Sequence, residues 1–513
     1  MYRKTIILFL ALFTFNLYSQ ELDVKGPTKS WEKLLQPGLN YRMEIYEGKN
    51  PLVVHALRFS QSAPNLELRP IMAHKEFYPI SHNKKCECLS KIVAKEKAIA
   101  GINADFFPFN NTPIGAMVKN NILLSKPYPN RSVFGWSKKA VRITNLTWSA
   151  KLIPEGRSPI NIDGFNEECK QNQIVLFTKS SGRAVAKPMN VYAAIKLNNN
   201  RLAPSGRWEG KYVGLFIDTP SVIIPDGHII LAAKGAPGAK LSSLKTGQKV
   251  TIEMKTTGFD WDRIKNAVGG GPLLVSDGVI QIASRKERFR KDVYQSRTSR
   301  TAIGYTDSGE IWLVSVDHKR PFSSGATLKE LAQVMLNLKC KNAMNLDGGS
   351  SCSQNVHGIS INNQRGDKES PIANALLVFG QNPTHSAQYK LQISGPSIFS
   401  MGTTAQFRIT DTQGKKIHDS LVFWACKGDV FIDQSGVARA VKPGEGKIMA
   451  YALGKQMEIP VLVTEKEPIV QTEKPTAPIM ESKKVEEKVA LDDSDSEHEL
   501  PSKQPEAEEE IVL

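Results

Sequence analysis

Two glycine clusters carry the residue types of an anion site: Asp347-Gly348-Gly349-Ser350-Ser351 and Gly269-Gly270-Gly271-Pro272. Glycines let backbone N–H groups approach an anion closely, and serine hydroxyls add donors. Asp347 sets a carboxylate at the same spot, with Asn345 two residues before it. A lone Asp-Gly pair is most often a hairpin turn. The second cluster of the same character argues for a site instead. Four more residues have suitable chemistry. Asp105 and Asn103 end an apolar run, Asp317 precedes His318, Arg300 closes a basic run that starts at Arg285, and Arg365 sits in Asn363-Gln364-Arg365-Gly366-Asp367. Each has a plainer reading: Asp105 as a cap on the turn before Phe106-Phe107-Pro108, Asp317 as a structural acid at a strand end, Arg300 as a surface arginine.

The elements that would place these groups are legible. Thr327 followed by Glu330 has capping-box spacing, and Leu328, Leu331, Ala332, Met335, Leu336 and Leu338 fall on one helical face. Ala343-Met344-Asn345-Leu346 then reads as a short buried strand that ends at Asp347. Residues 89–96 predict a short helix, and residues 98–107 a strand that delivers Asn103 and Asp105 to its end. Asn120-Asn121 and Asp307-Ser308-Gly309 are turn signals. Residues 21–38 read as a loose leader. Many strands with a few short helices predict an α+β body of mixed sheets over residues 39–382.

Six blocks carry a family resemblance when taken in order: GINADFF (101–107), NAVGGGPLLVSDG (266–278), SRTAIGYTDSGEIWLVSVD (299–317), the capped helix, NLDGGSS (345–351) and PIANALLVFG (371–380). Together they resemble the phosphodiester glycosidase family from about residue 40 to about residue 380. The resemblance implies hydrolysis of sugar-1-phosphodiesters of the N-acetylglucosamine-1-phosphate type. At the sugar carbon such a reaction builds an oxocarbenium-like charge that a carboxylate stabilises or attacks. The departing phosphomonoester is a weak base that needs a cation and N–H donors. The catalytic set implied is Asp105, Asp317, Asp347 and Arg300. The substrate-binding set is Asn103, Gly269, Gly270, Gly271, Asn345, Gly348, Gly349, Ser350, Ser351 and Arg365. The family block has three glycines before its serines where this chain has two followed by Cys352, so which hydroxyl or N–H meets the ligand stays open.

Composition sets the context. Residues 1–19 have the layout of a secretory signal peptide, with Arg3 and Lys4 before an apolar run too short for a comfortable membrane span. This predicts a secreted or envelope protein with no transmembrane segment after cleavage. The net charge is +16, and because residues 465–513 hold 15 acids against 6 bases, residues 1–464 carry +25. A basic body suits a sugar-phosphate diester or an anionic envelope glycan as partner. Nucleic acid is not expected, because its usual modules are missing. Six cysteines in an exported chain permit disulfides, and a Cys340–Cys352 bridge would stiffen the Asp347 loop. No zinc constellation is present, so no cofactor is expected; Ca²⁺ is the remaining candidate, without EF-type spacing.

Residues 384–464 change texture. Short strands at sandwich-like spacing, and the run ISGPSIFSMGTTAQFRITD, resemble bacterial Ig-like modules, against a further lobe of the same body. The body is expected to fold without anything after residue 382. Residues 465–513, rich in Glu, Lys, Pro and Ser, predict a disordered acidic tail. The leading function is therefore an exported glycosidase of sugar-1-phosphodiesters. The alternatives are an envelope glycan-binding or scaffold protein without turnover, and a phosphodiesterase that attacks phosphorus.

Overall fold

The structure, a computed structural model, describes residues 24–77, 86–107, 112–185, 190–320, 322–362, 368–381 and 390–465. The signal-peptide reading of residues 1–19, Arg365 with its loop, and the tail beyond residue 465 lie outside the described residues. The chain is mostly β, built of several sheets with few helices.

The first sheet has eight strands, in the order Lys29–Gln36, Leu39–Tyr46, Leu52–Phe59, Ile311–Val316, Arg300–Tyr305, Asn342–Leu346, Leu273–Ser276 and Val279–Ile280. Lys29–Gln36 is its edge strand, so the expected loose leader is ordered from residue 29 as one arm of a hairpin. Central strands are covered on both faces, which is why Leu52–Phe59 reads as a nearly continuous apolar run. Val54, Ala56, Ala302 and Val314 meet the helix Leu328–Asn337 through Leu328, Leu331, Ala332 and Met335. The capping box forms as expected: Glu330 N–H donates to Thr327 Oγ1 at 3.3 Å, and Thr327 N–H to Glu330 Oε2 at 2.8 Å. Val53, Leu57, Ile303 and Met344, on the other face, share a core with Ile102, Leu376 and Val378.

Those last residues belong to a five-stranded sheet ordered Ile359–Ser360, Gln354–Val356, Ala100–Asn103, Asn374–Phe379 and Glu67–Met72. A second five-stranded sheet centres on Asn266–Gly269, flanked by Met117–Lys119 and Ser132–Trp136. Its turn residues Asn120 and Asn121 both take positive φ, 50° and 60°, as the sequence predicts. A second eight-stranded sheet within residues 147–257 packs on it and brings no residue to the candidate site.

Among the described residues no cysteine forms a disulfide. Cys340 packs beneath the helix before the strand Asn342–Leu346, and Cys352 lies beyond that strand's far end. Five strand residues span roughly 16 Å, whereas a disulfide needs Cα atoms within about 7 Å. The expected bridge is therefore excluded by the strand itself.

Residues 391–464 form three small sheets around their own core of Phe407, Trp424, Ile448 and Val461. Phe423, Ala425, Phe431 and Met449 turn instead to Tyr41, Met43 and Ile45 of the first sheet. Tyr41 meets Phe423 edge-on at 4.9 Å, and His357 stacks on Tyr451 at 3.9 Å. Lys33 Nζ, almost fully buried, donates to the Asp419 carbonyl at 2.5 Å. This shared core runs against independent folding of the body. A chain ended at residue 381 would expose Tyr41, Met43 and Ile45, and is expected to melt roughly 5–10 °C below the full chain, with a broader transition, by scanning calorimetry. An unchanged melting temperature would mean the interface adds nothing to stability.

Candidate active site

The strand Ala100–Asn103 is buried along its whole length between Gln354–Val356 and Asn374–Phe379. Where it ends, it meets the end of Asn342–Leu346 from the other sheet. Asp347 N–H donates to the Ala104 carbonyl at 2.9 Å, and Asn103 Nδ2 donates to the Asp347 carbonyl at 2.6 Å. Asn103 Oδ1 accepts from the Thr301 hydroxyl at 2.9 Å and from Ser353 N–H at 3.0 Å. Asn103, expected to bind substrate, thus has its amide committed to tying its own strand to three other segments.

Asp105 is buried, 2% exposed. Its Oδ1 accepts from Phe106 N–H at 2.8 Å and its Oδ2 from Gly115 N–H at 2.7 Å. Its own N–H donates to Asn374 Oδ1 at 2.9 Å. Burial pushes the carboxyl up to about 6, while the two N–H groups and the Arg131 charge pull it down. Gly269 packs directly on it: a Cβ there would lie 2.7 Å from Asp105 Oδ2 and 2.8 Å from Gly115 Cα, so only glycine fits.

Asp347 does not open a hairpin. Gly349 takes φ 62°, one 3₁₀ turn follows over Gly349–Ser351, and the chain crosses into Gln354–Val356 of the other sheet. Gly349 N–H donates to the Ser299 carbonyl at 3.0 Å, and Ser299 Oγ to the Gly349 carbonyl at 2.8 Å. A Cβ on Gly348 would come within 2.8 Å of the Ser299 carbonyl. Loss of hydration pushes the Asp347 carboxyl up to about 7. The Ser351 hydroxyl opposes this, the nearby Asp105 charge adds to it, and Gly348 N–H opposes it again. Ser351 is buried and Ser350 exposed.

Asp347, Gly348, Gly349, Asn345 and Arg300 line a cleft of about 300 Å³, together with Phe106 and with Asp292, Val293, Ser296, Arg297 and Thr298. The Gly269–Gly271 loop supports this wall from behind. Gly271 N–H donates to the Asn345 carbonyl at 2.8 Å, Asn345 N–H to the Pro272 carbonyl at 3.0 Å, and Asn345 Nδ2 to the Gly271 carbonyl at 3.0 Å. Asn345 Oδ1 is left without a hydrogen-bond partner.

Arg300 reaches the cleft but is heavily committed. Its Nε donates to the Ala326 carbonyl at 3.0 Å, Nη1 to the Val293 carbonyl at 2.8 Å, and Nη2 to the Ser296 carbonyl. Burial lowers it to about 10. Asp317 is not brought to the cleft wall. Its Oδ2 sits 3.2 Å from His55 Nε2, whose Nδ1 is 2.7 Å from the Tyr41 hydroxyl. All three border a separate cavity of about 30 Å³ under Trp424 and Phe431.

Three contributors escaped the sequence reading. Arg297 donates from Nη2 to Glu330 Oε1 at 2.6 Å, so the helix cap is linked to the cleft. Glu287 accepts from Ser132 N–H at 3.0 Å, Ser132 Oγ at 2.8 Å and Leu273 N–H at 2.8 Å, clamping the triple-glycine loop. A lone acid inside the basic run Arg285–Lys291 was its signal. Arg131 lies among Tyr128, Phe106 and Phe289. Among the described residues no three His, Cys, Asp or Glu side chains gather as a metal site, and no helix is long and apolar enough to cross a membrane.

Residues 193–379 match the sequence model of the phosphodiester glycosidase family. That span holds Arg300, Asp317, Asn345, Asp347 and both glycine clusters; Asn103, Asp105 and Arg131 precede it. The SPbeta prophage-derived uncharacterized protein YomE of Bacillus subtilis (strain 168) is 32% identical over 94 residues, 18% of this chain. The match spans only 15% of that relative's length. Among solved structures, a hypothetical protein from Synechocystis superposes with TM-score 0.59 and 23% identity, over 70% of this chain and 64% of that one. A putative exported protein from Burkholderia pseudomallei K96243 gives TM-score 0.53 and 19% identity, over 65% and 75%. Both show the fold. A looser likeness, TM-score 0.34 and 12% identity over 69% and 88%, is to the zebrafish N-acetylglucosamine-1-phosphodiester alpha-N-acetylglucosaminidase catalytic domain auto-inhibited by its pro-peptide.

The raised Asp347 carboxyl makes a stability test available. Its protonated form is favoured in the folded chain, so its contribution is full below the unfolded value of about 3.9 and is lost as pH rises through about 7. Asp347→Asn stays neutral throughout. Its melting temperature relative to wild type is expected to be more favourable at pH 8 than at pH 4, by about 2 °C or more in thermal melts. A pH-independent difference would mean Asp347 is not held above its ordinary range.

Proposed function

We propose, from the family match and the cleft, that the chain hydrolyses the glycosidic bond of sugar-1-phosphodiesters, of the N-acetylglucosamine-1-phosphate type, and releases the sugar and a phosphomonoester. The observation that carries this reading is the carboxyl pair: Asp347 on the cleft wall with Asp105 buried nearby, both held above the ordinary carboxylate range. A carboxyl near 7 exchanges its proton at neutral pH, as an acid–base group must. The phosphomonoester leaves as a weak base and needs little proton donation. Asp347 therefore acts on the other side of C1, taking a proton from the attacking water or attacking the carbon itself while positive charge builds there.

Asp105 acts through Asp347. Both its oxygens are occupied by backbone N–H groups, and its negative charge raises the proton affinity of its neighbour. Arg297 and Arg300 make the cleft wall positive. Read with the signal-like residues 1–19, this is an envelope or secreted activity, with an anionic glycan or sugar-phosphate diester as its partner and residues 384–464 as an Ig-like module.

The bond that breaks is the deciding measurement. In ¹⁸O water with an N-acetylglucosamine-1-phosphodiester, label is expected on the sugar. Label on the phosphomonoester would assign attack at phosphorus, and absence of turnover across sugar-1-phosphodiesters would favour a binding protein. The pH profile checks the roles. The kcat/KM is expected to rise with pH through about 7 as Asp347 ionises. Asp105→Asn removes a like charge, lowers the Asp347 value, and is expected to move that limb to lower pH. A limb that stays in place would separate Asp105 from the titrating group.

A further inference from the structure

Arg131, within electrostatic reach of Asp105, has its charged group against rings instead of backbone carbonyls. Its guanidinium carbon lies 4.1 Å from the centre of the Phe289 ring, 4.5 Å from Tyr128 and 5.6 Å from Phe106. Ring faces hold a guanidinium flat and in place without consuming its N–H groups. Nε and Nη1 make no hydrogen bond, and no carboxylate pairs with Arg131 among the described residues. The two acids near enough to act on it electrostatically, Asp105 and Glu287, both have their oxygens occupied by other donors. An unspent guanidinium in a half-buried place is costly unless a ligand completes it.

Its position is also pointed. Arg131 precedes the strand Ser132–Trp136, and Gly270 N–H donates to the Ser132 carbonyl at 3.2 Å, so it stands at the edge of the triple-glycine loop. Phe106 both lines the cleft and carries Arg131 on its ring. Tyr128 is 42% exposed, so the box reaches the surface, while Arg131 Nε and Nη1 are themselves shielded from solvent. Arg300, by contrast, spends Nε, Nη1 and Nη2 on carbonyls.

We infer that Arg131, in its box of Tyr128, Phe106 and Phe289, is the subsite that takes the phosphate of the substrate, whereas Arg300 already has its Nε, Nη1 and Nη2 each turned to a backbone carbonyl. This rests on the sugar-phosphodiester reading and adds the residue that makes the cleft select a charged diester over a neutral glycoside. A planar fork offers a phosphate two parallel N–H donors, which lysine does not.

The test uses the full chain and inorganic phosphate as probe. Phosphate is expected to raise the melting temperature of wild type and of Arg300→Lys. It should do so about tenfold less potently in Arg131→Lys and not at all in Arg131→Met, whose stem still packs on the rings. For turnover, Arg131→Lys is expected to raise KM for the diester about tenfold or more, leaving kcat/KM for a neutral aryl N-acetylglucosaminide within about twofold. If Arg131→Met only lowers the melting temperature and binds phosphate like wild type, Arg131 is a structural clip and the inference falls. It falls also if wild type binds no phosphate. Phosphate binding through Arg131 without turnover of any diester would keep the subsite and overturn the hydrolase reading. Cleavage at C1 with an unchanged KM in Arg131→Lys would do the reverse.

Discussion

The whole site depends on one junction: two strand ends from different sheets meet head to head and are hydrogen-bonded across the gap. Asp347 N–H to the Ala104 carbonyl and Asn103 Nδ2 to the Asp347 carbonyl make that joint. Strand ends expose backbone groups with no ladder partner, and buried ones must find another. Here they satisfy each other, and the side chains just past them, Asp105 and Asp347, are forced into one small volume. The acid pair follows from the way two sheets are stitched together.

That volume is too small for ordinary residues, which explains the glycines better than an anion cradle does. Gly269 lies against the Asp105 carboxylate, and Gly348 against the Ser299 carbonyl. Each lacks a side chain because backbone or carboxylate occupies the place a Cβ would take. The same closeness removes water from the carboxyls, so packing and proton affinity are one fact. Glu287 holds the glycine loop from behind, as Asn103 holds the strand ends, and neither group is spare for substrate.

Much of this was legible in the chain. The Thr327–Glu330 cap, the strand after the helix and the Asn120-Asn121 turn announce themselves because each depends on neighbours in sequence. The glycine clusters and Asp347 were readable as candidates, though not their placement: Gly348 and Gly349 border the cleft while Gly269–Gly271 back it. What failed was non-local. Asp317 has the same strand-end signature as Asp347, but its strand delivers it to His55 and Tyr41. The edge strand Lys29–Gln36 looked like a leader because an edge exposes half its residues and has no strong pattern. The Cys340–Cys352 bridge looked reasonable at twelve residues' separation only while the strand between them was ignored.

The arginines show the same limit from the other side. Arg300 stands in a recognisable block and Arg131 in none, so motif reading favours Arg300. Yet a guanidinium has a fixed number of donors in a fixed plane, and what it can do for a ligand depends on how many remain. Arg300, holding the carbonyls of Ala326, Val293 and Ser296, welds the cleft wall to the strand Arg300–Tyr305. A residue with that duty serves the wall's shape whatever the ligand. Arg131 is held by ring faces with its Nε and Nη1 buried and unbonded, and it lies within electrostatic reach of Asp105. Phe106, which lines the cleft and carries Arg131 on its ring, joins Arg131 to the wall that Asp347 shares, so the junction of the two strand ends fixes where both groups stand.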